Sequence, residues 1–205
     1  MNLISNTCMG GYIYGFANEK LKNPFQWCFI FPNDFLKLIL EFNNINFKRL
    51  ALKKSIEFPK TYEVIIDNAI KIKYIHYKEE NVKYTTIHGH DVISKDIKKF
   101  IVEMYKRRLQ RMVEKPIFLY CDHMTQKNDD AIVEKIASAQ AAKIIISSND
   151  KLLSYSNQDT LIIIDKSERM VQNKTYPLQY SIKYKDKILN FIRDVEKRRS
   201  QKQWQ

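Results

Sequence analysis

Residues 116–164 read PIFLYCDHMTQKNDDAIVEKIASAQAAKIIISSNDKLLSYSNQDTLIII. Three compact apolar runs stand in this stretch: Pro116–Cys121, Ile144-Ile145-Ile146 and Leu161–Ile164. Each is short and continuous, as strands covered on both faces are. Between the first two, Lys127–Ala139 sets Ile132, Val133 and Ile136 at helical spacing. Strand, helix, strand in that order is the unit of a parallel sheet. The stretch predicts an α/β fold, a three-layer sandwich with a mixed, largely parallel sheet.

The flanks extend this pattern. Leu3-Ile4-Ser5 reads as a strand that breaks at Asn6, with a helix or turn over Tyr12–Lys20. Asn33 is placed to cap a helix over Asp34–Asn43, in which Phe35, Leu38, Ile39 and Phe42 share a face. Arg49–Lys53, Glu63–Asp67 and Ala69–Tyr77 read as strands, the last with Ile70, Ile72, Tyr74 and His76 on one side. Tyr84–His90 reads as a loop, Ser94 as the cap of a helix to about Val113, and Asp186–Arg199 as a closing amphipathic helix. One domain over 1–205 is expected, with 185–205 a basic C-terminal helix and tail.

Composition narrows the class. A chain of 205 residues, 44% hydrophobic, suits one ordinary core. No run approaches the roughly 20 apolar residues of a membrane span. The first residues do not read as a signal peptide. Cys8, Cys28 and Cys121 are odd in number and form no C-x-x-C pair. A reducing, cytoplasmic setting is expected, extending to the inner face of the membrane. The net charge is +12. Residues 48–60, 94–114 and 185–205 each hold an excess of four cations and so account for all of it. Such segments attract phosphates or anionic surfaces, or serve as solvated faces.

Four constellations suit chemistry. Gly10 and Gly11 follow a strand end, where backbone amides at a helix start approach anions. Cys8 beside them would have a lowered pKa and act as a nucleophile; a buried structural thiol is the ordinary alternative. On the 94–113 helix, Ile97, Phe100, Ile101 and Met104 form an inward stripe at about 100° per residue. Its continuation holds Arg108 and Arg111, with Arg107 at the edge. Inward arginines need carboxylate or phosphate partners, unless the last turn overhangs the core. His76, near a strand end, is a candidate base, and Asp122 with His123 follows another strand. No P-loop, G-x-G-x-x-G, H-E-x-x-H or G-x-S-x-G motif is present. No cofactor or metal site is required by these residues, and a divalent ion is left open.

Taken in order, four pieces resemble a bacterial family of domains of unknown function (number 1919) that carries the label exopolysaccharide biosynthesis. Ser5-Asn6-Thr7-Cys8-Met9-Gly10-Gly11 is similar to its S-N-x-C-x-G-G, and Phe29–Phe35 to its F-x-F-P-x-D-[YF]. Ile75-His76-Tyr77-Lys78 is similar to its L-H-Y-K, and Tyr105–Met112 to its W-x-R-R-x-x-R-I. The likeness runs from about residue 3 to about 165. It departs at Phe58–Ile70, where a glycine is missing and Asn68 replaces an Asp, and at Phe118–Asp122, where a lysine is missing. The resemblance implies an α/β fold and work on capsular or surface polysaccharide.

The leading expectation is a glycosyltransferase-like enzyme with a nucleotide-sugar or other phosphorylated donor and a polysaccharide or lipid-linked acceptor. Its substrate contacts would be Asn6, Gly10, Gly11, Lys78, Arg107, Arg108 and Arg111, with His76 as base. The alternative enzyme is a cysteine hydrolase or acyltransferase using Cys8, with His76 or His123 and Asp122. A third class is a non-catalytic protein for anionic lipid or nucleic acid. The lack of an aromatic stacking motif argues against nucleic acid.

Overall fold

Alternating side chains on the central strands send apolar groups to both faces, so the sheet must be covered twice. The computed structural model describes residues 1–20, 23–56, 60–78, 83–85, 91–93, 97–112, 115–122, 130–167 and 176–202. Four strands, β1 (Leu3–Ser5), β7 (Ile117–Cys121), β8 (Lys143–Ser147) and β9 (Thr160–Ile164), form a parallel sheet in the order β1-β7-β8-β9. Leu3, Ile117, Leu119, Cys121, Ile144, Ile146 and Ile163 pack with α1 (Met9–Phe16) and α5 (Tyr176–Lys202). Ile4, Phe118, Tyr120, Ile145 and Ile162 pack on the opposite side with α2 (Pro32–Glu41), α3 (Ile97–Leu109) and α4 (Asp130–Ser138). Two cores separated by one sheet make the expected three layers.

A second sheet, antiparallel, comprises β2 (Leu50–Lys54), β3 (Thr61–Ile66) and β4 (Ile70–Lys78). The β3–β4 turn holds Asp67 and Asn68 at φ 50° and 55°. Asp and Asn tolerate this left-handed region, so the turn forms without a glycine. Backbone at residues 29–30 joins the two sheets. Phe29 exchanges hydrogen bonds of 2.7 and 2.9 Å with Lys73, and the Ile30 N–H donates to the Asn6 carbonyl at 2.9 Å. The sheet is thus mixed, as expected. A separate hairpin pairs β5 (Lys83–Thr85) with β6 (Asp91–Ile93), where a loop had been expected over Tyr84–His90; residues 86–90 lie outside the described set.

Other boundaries move for local reasons. Helix α2 starts at Pro32 with Phe31 as its cap, not Asn33, because a proline's fixed φ suits the first helical position. Helix α3 stops at Leu109, and the expected Ser94 cap lies outside the described residues. Helix α5 begins ten residues before the expected Asp186. Tyr180 and Tyr184 carry its apolar stripe upstream of Ile188, Ile192 and Val195. Among the described residues, no helix is long and apolar enough to cross a membrane.

The sheet junction also buries a charge. Lys73 is fully buried; its ammonium lies 3.6 Å from the Glu63 carboxylate and 4.4 Å from the centre of the Phe31 ring. A buried ammonium that loses its counter-charge is costly. Asp34 also acts on this ammonium, so Glu63→Gln is expected to lower stability by about 1–3 kcal/mol, read as a shift in the urea midpoint with an unchanged m-value.

Candidate functional site

The carboxyl ends of parallel strands open where successive connections leave to opposite faces. Here the chain leaves β1 for α1 on one face and leaves β7 for α4 on the other. The edge at that divide is polar and buried: Ser5, Asn6, Thr7, Asp122, Ser147 and Asp165 are all nearly inaccessible.

Asn6 spans the divide. Its N–H donates to the Leu119 carbonyl at 3.1 Å, and its own carbonyl accepts from Ile30. Its side-chain amide donates to the Cys121 carbonyl at 3.2 Å and accepts from the Cys121 N–H at 2.9 Å. Asn6 extends the β1–β7 ladder with its side chain after the β1 backbone has turned away. Its amide is spent on the protein's own backbone, so its structural use is clear, and the expected contact with substrate gains no geometry.

The glycine pair likewise has a packing reason. A Cβ on Gly10 would lie 2.8 Å from the Ser5 Cβ, and one on Gly11 would lie 2.6 Å from a ring atom of Trp27. Both glycines let α1 settle against β1 and Trp27. The start of α1 is tied down by Thr7, whose hydroxyl accepts from the Met9 N–H at 3.3 Å. Cys8 at this turn is buried, with Sγ 3.9 Å from the Cys28 carbonyl. Burial pushes its thiol up to about 12, the reverse of the lowered pKa expected at a helix start. Desolvation outweighs whatever the helix amides contribute. Burial also pushes Cys28 well above its usual range.

Of the three arginines, the fold turns Arg108 inward. It is 5% exposed, whereas Arg107 and Arg111 lie at the surface. The inward stripe ends with α3 at Leu109, so Arg111 falls in the following turn. One Arg108 nitrogen donates to the Gln26 carbonyl at 3.2 Å. Its charge also bears on the Cys28 thiol. No carboxylate among the described residues forms an ion pair with it, although a guanidinium carries five donors. Beside it, the Gln26 side chain donates to the Leu3 carbonyl at 2.8 Å and to the Asn23 carboxamide oxygen at 2.6 Å. The buried Gln26 Oε1 has no hydrogen-bond partner. Arg108 thus meets the backbone of the residue whose side chain carries an orphaned acceptor.

Across the divide, Asp122 accepts from the Ser147 hydroxyl at 3.0 Å. One strand further, Asp165 accepts from the Ser167 N–H and hydroxyl at 2.8 and 2.6 Å, from Lys183 at 2.9 Å and from the Tyr184 hydroxyl. Burial alone would raise its pKa, but the donors from Ser167, Tyr184 and Lys183 outweigh that and hold the carboxyl well below its usual range. Asp165 anchors α5 to the end of β9. The backbone of His76 and Lys78 runs in β4, while their side chains and His123 lie outside the described residues. Among the described residues, no group of three His, Cys, Asp or Glu could hold a metal ion.

Sequence reasoning overlooked Gln26, Ser147 and Asp165. For two of them a signal existed: Ser147 and Asp165 each follow an apolar strand run, as Asp122 does. Gln26 gave none. A family model described as "Domain of unknown function (DUF1919)" matches residues 1–149. That range takes in Asn6, Gln26, Arg108, Asp122 and Ser147 and leaves out Asp165. No curated protein matches the chain.

The state of the Cys8 thiol has a direct readout. Native Cys8 is expected to react with iodoacetamide at pH 7.5 about a hundredfold or more slowly than in urea, with a rate still climbing at pH 10. Fast native labelling, followed by peptide mass spectrometry, would show a thiolate instead.

Proposed function

Because the chain belongs to the family described as a domain of unknown function (DUF1919), we propose its function from its own side chains: a glycosyltransferase-like enzyme of surface polysaccharide assembly with a nucleotide-sugar donor. The observation that carries this reading is Arg108, a buried guanidinium with no carboxylate in ion-pair contact among the described residues. A planar fork with donors to spare matches a diphosphate. The neighbouring Gln26 Oε1 would accept from a donor hydroxyl or base N–H. The acceptor hydroxyl attacks the anomeric carbon, and the bond from that carbon to the diphosphate oxygen breaks. The electron pair passes to the diphosphate, where Arg108 offsets the new charge. The hydroxyl proton passes to a base, a role the sequence assigns to His76; Asp122, held by Ser147, lies on the same polar edge as a carboxylate that orients the acceptor. The reading sets the enzyme in the cytoplasm at the inner membrane face, where a lipid-linked acceptor is met.

Against the cysteine-nucleophile alternative stands the burial of Cys8, which pushes its thiol up to about 12. Arg108→Gln keeps a polar side chain with a donor at this position but shortens it and removes the charge. In a thermal-shift screen of nucleoside diphosphate sugars, one donor should raise the melting temperature of the wild-type protein. Its Kd should rise tenfold to a hundredfold in a folded Arg108→Gln variant, the equivalent of about 1.5–3 kcal/mol for a hydrogen-bonded charge. No stabilisation by any donor, or an unchanged Kd in the variant, would contradict the assignment.

A further inference from the structure

The opposite edge of the parallel sheet carries a cavity of about 840 Å³, between the amino ends of β8 and β9 and the C-terminal turns of α4 and α5. Its size falls within the range of small-molecule sites. Lys143 stands at the start of β8 and Ser147, which holds Asp122, at its end. Five residues of strand put the two edges about 13 Å apart. The cavity therefore lies outside the Arg108 site.

Four cations line it, Lys115, Lys143, Arg198 and Arg199, against one carboxylate, Asp159. Asp159 is engaged by Arg198 at 3.4 Å. The other contacts are to neutral carbonyls. The buried Lys143 ammonium donates to the Ala139 and Ala141 carbonyls at 2.6 and 3.2 Å. Arg199 donates to the Lys115 carbonyl at 2.5 Å and the Pro116 carbonyl at 3.5 Å. Lys143 in part serves the carbonyl end of α4, as a cation at a helix C-terminus does. Carbonyls orient these cations without cancelling their charge. The cost shows at both groups: burial pushes Lys143 down to about 8 against the pull of Asp159, and burial lowers Arg199 as well. Like charges gathered in a concave, partly dry wall focus an attractive field for an anion.

We propose that this cavity is a second ligand site, taking a small molecule with a multiply charged phosphate group. Lys143, Arg199 and Lys115 meet the phosphate, Arg199 through the N–H groups that its two carbonyl contacts leave. The remainder lies along the small-residue wall Ala137–Ala142 and reaches Tyr155. A single carboxylate would leave an excess of cations; a diphosphate would match it. The concave shape and modest volume suit a metabolite rather than a nucleic-acid strand, which tracks an extended groove. Asp159, Arg198 and Arg199 lie beyond residue 149, so three of the five charged lining residues come from outside the family match.

Inorganic pyrophosphate is the probe, at about 50 mM salt, because phosphate contacts weaken steeply as salt rises. Since Arg108 would also take it, the experiment uses the Arg108→Gln protein. Hydrogen–deuterium exchange should show pyrophosphate protecting residues 137–143 and 157–160. Calorimetry should show a tenfold or greater loss of affinity on adding Arg199→Gln, a change at a helix end with little bearing on the core, and a comparable loss on adding Lys143→Met. No binding in the Arg108→Gln protein, protection confined to residues 5–11, or unchanged affinity with Arg199→Gln would each overturn the proposal. None of these outcomes bears on whether Arg108 binds a nucleotide sugar in the wild-type chain.

Discussion

Asn6 makes four backbone-like hydrogen bonds to three residues in two segments, and the architecture turns on them. Its main chain ties β7 to the 29–30 segment, and its side chain pairs with both polar groups of Cys121. A strand that turns into a helix normally abandons its neighbour's last N–H and C=O. In a buried edge each abandoned group costs about 1–3 kcal/mol. The carboxamide fills that gap because it presents an N–H and a carbonyl oxygen side by side, as a peptide group does. The Asn6 main-chain carbonyl, through Ile30, links the parallel sheet to the segment that bridges to Lys73 in β4.

That constraint explains why the edge is occupied as it is. The tight β1–α1 corner leaves no room for side chains at residues 10 and 11, so glycines stand there and bring Trp27 close. Cys8 is buried at the same turn, and that burial raises its thiol pKa. Charge sits around the corner instead: Arg108 enters from α3 and donates to the Gln26 carbonyl, and Asp122 follows β7 and accepts from Ser147. Asp165, saturated by four donors, secures α5. The proposed transferase uses the side of the corner where hydrogen-bonding capacity remains.

Much of the scaffold was legible because its signals are local. The continuous runs at Ile144–Ile146 and Leu161–Ile164 needed covering on both faces and received it. The inward line of α3 correctly singled out Arg108; it failed for Arg111 because a periodicity does not announce where a helix ends. The early start of α5 was hidden because Lys183 and Lys185 interrupt the reading, although Tyr180 and Tyr184 stand one helical turn apart on the buried stripe. Asn6 looked like a ligand contact for a plainer reason. Its partner is 115 residues away, and no local pattern reports a bond across that distance. The lowered thiol pKa was inferred from a helix start, yet the burial that reverses it is a tertiary property.

The central claim is that the Asn6 side chain, rather than a ligand or solvent, satisfies the end of β7. Native-state hydrogen exchange at the Cys121 amide tests it most directly. The account predicts that this amide exchanges as slowly as the central amides of β7, and that Asn6→Ala makes it exchange far faster than they do. A Cys121 amide that exchanges rapidly in the wild-type protein, or whose protection is untouched by Asn6→Ala, would contradict it.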